Sequence, residues 1–419
     1  RDRLDAEALQ QARARHAEAV VSLMLPFQEF DDIDVSQALT VIAPERQQIE
    51  LAWLTAIEQR RAEWLRDLAG PLSNLVQAEG GLDVVLPLFA RAQLWLVLAR
   101  QADRAALCNV ALEHATLHFW RGDNVACEAA ALVALGAAKA SHQQRRRRQA
   151  LNALALVAMR QSRFERAARL MEGALNQARR SDTSVREVAI FAGNLSGIRR
   201  ELGDLQAARE LAEESLQAHR TQGSAIGETA LLNELALIAH HQGRLDEAFE
   251  YSRLSLEVTE QHAMVMRRPA MLTHQAWIRL DQGRLAEAQA LVDRSMDELR
   301  QGNARHYHEP SLRRVMAELA LKKGDAPSAR QHLRLACERC SPLADEINSR
   351  GLLWSLAMLA RFEGDSMLAA TLGRRAERSR PPRAVPVQRY LALRAELPPA
   401  AHPAPDDDEL QRRIDQLLG

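Results

Sequence analysis

The sequence predicts an all-α helical-repeat solenoid of about eight helical hairpins, and three observations carry that prediction. First, a short turn recurs at Gly81-Leu82-Asp83, Gly122-Asp123, Ser162-Arg163-Phe164, Gly203-Asp204-Leu205, Gly243-Arg244-Leu245, Gly283-Arg284-Leu285, Gly324-Asp325 and Gly364-Asp365, at spacings of 41, 40, 41, 40, 40, 41 and 40 residues. A period of this length with helical patterning on both sides of each turn marks stacked helix-turn-helix units, which bury their apolar faces on one another. Second, small residues recur at fixed distances from the turn: Ala115, Ala155, Ser196, Ala236, Ala276, Ala317 and Ala357 seven residues before it, Cys127, Ala167, Ala208, Ala248, Ala288, Ala329 and Ala369 five after, and Ala134, Ala174, Ser215, Ser255, Ser295, Ala336 and Ala376 twelve after. Small side chains at matched places on two consecutive helices let their backbones approach closely. Third, Ala and Leu dominate a chain that is 47% apolar and only 4% aromatic, which suits helix packing better than a sheet.

Charge and cysteine content narrow the function classes. Lys plus Arg and Asp plus Glu are both 55, so no long-range field draws the chain to nucleic acid or to an anionic membrane. Four cysteines, Cys108, Cys127, Cys337 and Cys340, make no disulfide framework for a chain of 419 residues and point to a reducing, cytoplasmic setting. The longest apolar run, Ala129 to Ala138, is too short to span a bilayer, and no signal sequence opens the chain. The first residue is Arg1 rather than Met, which leads us to expect the C-terminal part of a longer protein.

Residues 1–63 lie outside the period and read as a helical linker to an upstream module, with helices over Leu4 to Leu25 and Glu45 to Gln59 separated by the acidic stretch Asp31-Asp32-Ile33-Asp34. Residues 64–378 form the repeat array. Its first copy, at Gly81, departs from the small-residue pattern with Asn74, Leu86 and Gln93, as an end repeat lacking one neighbour does. Beyond Glu377, residues 379–419 carry Pro381, Pro382, Pro386, Pro398, Pro399, Pro403 and Pro405, which forbid a long helix and predict an extended tail with a short helix at Val387 to Glu396. A last helix is expected from Asp406 to Leu418, with aspartates at its positive end and a stripe of Leu410, Ile414, Leu417 and Leu418 to cap the last repeat.

A search for chemistry yields no catalytic residues. None of the three lysines sits in a Walker A loop, and the chain has no Gly-x-Ser-x-Gly elbow, no His-Glu-x-x-His and no dinucleotide fingerprint. No cofactor or metal is assigned to the chain. Cys337 and Cys340 have the gap of a metal pair without a second pair, so they read as packing residues, and the His114/His118 and His240-His241 pairs read as ordinary interhelix histidines. The Arg145 to Arg148 run, placed in the loop and first turn before the Ala155 helix, reads as a solvated edge, with contact to a nucleic acid or an acidic partner domain as the alternative.

The phrases at Gly203 to Arg209, Gly243 to Phe249 and Gly283 to Gln289 resemble tetratricopeptide repeats, and the resemblance runs from about Asn109 to Glu377. The unit exceeds the standard form of about 34 residues and is similar to the long variant of maltose-activator-type bacterial regulators and kinesin light chains. Residues Arg15-His16-Ala17, Glu45 to Trp53, Leu68 to Leu72 and Glu79-Gly80-Gly81 in turn resemble the junction that follows the ATPase module in STAND-class regulators. The resemblance implies a right-handed superhelix whose first helices line a groove, with residues about 13, 10, 9, 6, 3 and 2 before each turn facing it. Carried onto this chain, that selects Asn152, Asn194, Arg200, Asn233, Glu234, His240, Thr273, His274, Trp277, Arg314, Glu318, Trp354 and Arg361. The Asn152, Asn194, Asn233 series offers amides that both donate and accept, and Trp277 and Trp354 offer stacking faces.

The expected function is therefore the sensor part of a STAND-type signalling ATPase, a transcriptional regulator. Its groove would bind a protein, peptide or small inducer and bias an upstream nucleotide-binding module of the same polypeptide, with no direct nucleic-acid or membrane contact. Two alternatives stand beside it, an assembly scaffold without an ATPase switch and a peptide-pheromone receptor solenoid.

Overall fold

A computed structural model describes residues 2–27, 35–99, 103–181, 184–262, 267–301, 309–344, 347–378, 388–399 and 405–419. The acidic stretch at 31–34 and Pro381, Pro382, Pro386 and Pro403 lie outside the described residues. Among those described, all regular structure is helical: α1 (Asp2–Met24), α2 (Val35–Ile42), α3 (Arg46–Glu58), α4 (Ala62–Glu79), α5 (Leu82–Leu98), α6 (Arg104–Arg121), α7 (Asn124–Ala140), α8 (Gln144–Arg160), α9 (Phe164–Arg180), α10 (Val185–Glu201) and α11 (Leu205–Thr221). Then follow α12 (Ala225–His241), α13 (Leu245–Gln261), α14 (Arg268–Asp281), α15 (Leu285–Gln301), α16 (Glu309–Lys322), α17 (Ala326–Arg339), α18 (Ile347–Phe362), α19 (Ser366–Arg378), α20 (Gln388–Glu396) and α21 (Asp407–Leu418). The fold is an all-α, tetratricopeptide-like solenoid.

At the repeat turns from Gly122 onward, the turn residue and the one after it close one helix and open the next. At Gly243 the backbone is left-handed, φ 74°, its N–H bonds to His240 O, and the following Arg244 N–H reaches back to Ala239 O. This is the Schellman closure that glycine permits without steric cost. The residue after the glycine is then the N-cap of the second helix, and where it is Asp its carboxylate accepts from that helix's first turn, as Asp204 does from Ala207 N–H. Ser162 holds the same left-handed conformation, φ 56°, without being glycine, and keeps the same two bonds.

The small residues named above are where the hairpins nest. All 21 of these positions are at most 1% exposed. Three of the serines do more than save space: the hydroxyls of Ser215, Ser255 and Ser295 each donate to the carbonyl of a residue 26 positions earlier, Ala189, Thr229 and Pro269, which ties the second helix of a hairpin to the start of its first.

The chain divides into two compact units, residues 1–157 with 170–181, and residues 158–169 with 182–419. In the first unit Trp53 and Phe89 meet as tilted rings with centroids 4.5 Å apart within an apolar cluster drawn from α1 to α7, and the Trp53 indole donates to Leu88 O. Here α4 packs chiefly against α3 and α6, and α5 against α6, so the Gly81 turn does not close a tight hairpin. The sequence reading missed α2, and the Arg145 to Arg148 run stands inside α8 rather than in a loop, since α8 already begins at Gln144. In the second unit the hairpins α10/α11, α12/α13, α14/α15, α16/α17 and α18/α19 follow in order, with second helices packed on the first helix of the next hairpin. Helix α21 buries Leu410, Ile414, Leu417 and Leu418 in the cluster of Leu333, Ala336 and Leu368, while Arg330 and Arg334 of α17 donate to its last carbonyls, Leu417 O and Leu418 O. No helix among the described residues is long and apolar enough to cross a membrane.

Candidate functional site

In the second unit the first helices α10, α12, α14, α16 and α18 present one face carrying most of the residues selected from the repeat register. The Arg200 guanidinium donates from Nε to Glu234 Oε1 at 2.7 Å and from Nη1 to Glu201 Oε1 at 2.6 Å. Arg350 of α18, 149 residues further along, donates to the other Glu201 oxygen at 2.5 Å and lies over the Phe164 ring at 5.2 Å. Burial by itself would raise the Glu201 carboxyl, but Arg200 and Arg350 outweigh it and hold it down at about 2. Glu234, with Arg200 as its principal cation, stays raised because burial dominates there.

One turn along, His240 Nε2 meets Asp281 Oδ2 at 2.6 Å, and Asn233 Oδ1 meets His274 Nδ1 at 3.1 Å. The Asn carbonyl can only accept, so His274 donates from Nδ1 and is left with Nε2 as an acceptor; that nitrogen is buried and has no hydrogen-bond partner among the described residues. Burial, then the neighbouring His240 and Arg200, push His274 well below the usual histidine range, and burial and Arg200 push His241 down to about 3. Trp277 stands edge-on to His240 with centroids 6.0 Å apart, and Arg314 lies over the Trp277 ring at 5.0 Å.

At the far end, the Tyr390 hydroxyl of α20 accepts from Arg314 Nη2 at 2.8 Å and donates to Glu318 Oε1 at 3.0 Å. Ser355 Oγ also donates to that Glu318 oxygen, at 2.6 Å, and the Tyr390 ring stacks on Trp354 at 5.4 Å with an interplanar angle of 8°.

The register thus brings Arg200, Asn233, Glu234, His240, His274, Trp277, Arg314, Glu318 and Trp354 into linked contacts. Asn194 is half-buried on α10 of the same unit, and Arg361 is exposed on α18. Asn152 is half-buried on α8 in the first unit. Thr273 is 5% exposed and uses its hydroxyl inside its own hairpin, on Pro269 O and Ser295 Oγ. The sequence reading assigned none of Glu201, His241 and Asp281 to the face, taking His241 only as an ordinary interhelix histidine, although all three stand two residues before a turn, an offset already in the register. It also missed Arg350, Ser355 and Tyr390. Ser355 stands nine residues before the Gly364 turn, but Arg350 and Tyr390 fall outside every periodic offset. Among the described residues, no group of three or more His, Cys, Asp or Glu side chains is arranged to hold a metal ion.

No protein-family model matches the sequence, and comparison with curated protein sequences gives no match. Solved structures do resemble it. A Rap protein complexed with competence and sporulation factor aligns over 82% of this chain and 97% of its own, at 13% identity and a TM-score of 0.64. The regulator NprR in complex with its cognate peptide NprX aligns over 82% and 96%, at 12% identity and a TM-score of 0.56. Aspartyl phosphate phosphatase F from Bacillus subtilis aligns over 87% and 93%, at 10% identity and a TM-score of 0.54. At these identities the likeness is one of fold: this chain shares the helical-repeat architecture of those three proteins.

Proposed function

We propose that this chain is the peptide-binding part of a signalling receptor, and that the first-helix face of its second unit holds an extended peptide. The observation that carries this is the row of paired polar groups along that face. Arg200–Glu234 and Asn233–His274 join residues of consecutive first helices, and neither is needed to nest one hairpin on the next, since the small residues already do that. Burying paired charges is at best a weak source of stability, whereas amides, carboxylates and guanidinium groups in a row suit a peptide backbone and its termini. The solved complexes of a Rap protein with a signalling factor and of NprR with its peptide support the same reading by analogy of fold. Of the alternatives drawn from the sequence, the peptide receptor is therefore favoured. The further reading, an upstream ATPase switch and control of transcription, rests on the long repeat unit and on the wording of residues 15–81, and sequencing the coding frame upstream of Arg1 tests it.

The peptide reading is tested by probing the purified chain with an immobilised library of five- to seven-residue peptides, beside an Asn194→Ala/Asn233→Ala variant shown to be folded by circular dichroism. A defined subset bound by the parent and lost in the variant is expected. Retention of all bound peptides by the variant, or no binding by the parent, overturns it.

A further inference from the structure

The contacts of Tyr390 point to a specific ligand chemistry. Arg314 is 5% and Glu318 0% exposed, and besides their bonds to Ser355 both meet one phenolic hydroxyl, which accepts from the cation and donates to the carboxylate. Two buried ionic side chains are an inefficient way to seat a tyrosine in a core, where apolar neighbours would cost less, but they discriminate sharply. Phenylalanine in that place would leave both groups short of a partner, and a carboxylate could not donate to Glu318. The backbone is shaped for it as well. Gly351 lies within helix α18, and a Cβ there would collide with the Arg314 guanidinium, so glycine is kept at a helical position that otherwise disfavours it.

The occupant is tethered lightly. Helix α20 has nine residues, and its backbone nests against no other described helix the way hairpin partners nest. Its hold comes from side chains: Tyr390 in the site, Leu393 and the following Leu397 in the adjoining apolar cluster, and an ion pair between the exposed Arg394 and Glu377. Arg314, Glu318 and Trp354 belong to the same repeat register as the residues assigned to peptide binding above.

We propose that Arg314, Glu318, Ser355 and Trp354 form a tyrosine-reading subsite of the peptide face, filled in the free protein by the chain's own Tyr390, and that a peptide bearing tyrosine binds by displacing α20. This deepens the peptide-receptor reading and rests on it. A short helix held by a few side chains competes at high effective concentration yet has little to lose on release.

The test uses the full chain, wild type and Tyr390→Ala, and a fluorescein-labelled synthetic peptide with the sequence of residues 388–397. Fluorescence anisotropy is expected to show binding to Tyr390→Ala at least about tenfold tighter than to wild type, and about tenfold weaker binding when the peptide's tyrosine is replaced by phenylalanine. Equal binding by the two proteins, no binding by a Tyr390→Ala chain that circular dichroism shows to be folded, or indifference to the tyrosine-to-phenylalanine change overturns the proposal. Re-screening the peptide library on Tyr390→Ala separates this failure from that of the broader reading. Library peptides bound alike by both proteins would sink the displacement while leaving the peptide face intact, whereas a library that binds neither protein would sink the peptide face, with the labelled peptide still reporting on the subsite.

Discussion

The two units use one repeat grammar and differ in what they do with the face it leaves over. In the first, the buried interior is chiefly apolar, with Trp53 and Phe89 within it, and its buried histidine, His114, is bonded to Gln93 and His118, close by on α5 and α6. In the second, the same small residues nest the hairpins, but the first helices carry charges that pair one repeat along, 34 residues apart for Arg200 and Glu234, and in one case 149 residues apart for Arg350 and Glu201. The difference shows that stacking and recognition are separable in this fold. Positions seven before and five and twelve after the turn build the array, and other positions of the first helix are free to vary.

Perturbing each unit through its own device sharpens this contrast. Trp53→Ala should have the largest effect: removing a fully buried indole and its ring contact with Phe89 costs about 3–5 kcal/mol. Hydrogen–deuterium exchange should show lost protection in α3 to α6 and unchanged protection in α12 to α18. If protection falls equally in both, the units do not unfold independently and the contrast fails.

Glu201→Gln comes next, at about 3 kcal/mol in the second unit, because it strips two enclosed guanidinium groups of a shared carboxylate. This variant also has a pH signature. The Glu201 carboxyl is held at about 2 against an ordinary 4.5, so the unfolded chain takes up its proton first as pH falls. The stabilisation is complete above 4.5 and is lost as pH drops toward 2. Urea midpoints measured across that window should fall more steeply for the parent than for Glu201→Gln.

Histidines act at milder acidity and in both units. His241 is pushed down to about 3 and His114 to about 4, each chiefly by burial, so each is neutral when folded and becomes protonated on unfolding below 6.5. Stability is full above 6.5 and declines as pH falls, by about 1–2 kcal/mol per group between 6.5 and 5. His241→Asn should lessen this decline in the exchange protection of the second unit, where His274 is also pushed down by burial, and leave that of the first unit unchanged.

The smallest effect is a gain. Ser162→Gly should stabilise the chain by up to about 1 kcal/mol by relieving a left-handed backbone that serine adopts at a cost, whereas Gly243→Ala should destabilise by a similar amount. Thermal melts of the pair, moving in opposite directions, check this.

The period alone made the hairpins legible, because a glycine in the left-handed region and small residues at nesting positions are local requirements that the sequence states repeat by repeat. Helix α21 was also legible from its apolar spacing and from Asp406, and α20 as the short helix that the flanking prolines allow. Helix α2 was not: eight residues between turns give too little periodicity to stand out. For the site, the register located Arg200, Glu234 and His240 because their offset is a property of one helix. Arg350 and Tyr390 escaped it because their partners are 149 and 72–76 residues distant, a relation that only tertiary packing creates.

The turn has one further consequence. From the Gly122 turn onward, the residue after the left-handed one both completes the closure of one helix and stands at the N-cap of the next, so the turn has no spare residue to lose or absorb. A single insertion there would rotate the second helix by about 100° and carry its small residues away from the interface. Single-residue gains and losses are thus barred at the hairpin turns, while whole copies of about 40 residues can be added or dropped. The near-constant spacings of 40 and 41 residues are those of an array held to measure by the geometry of its turns.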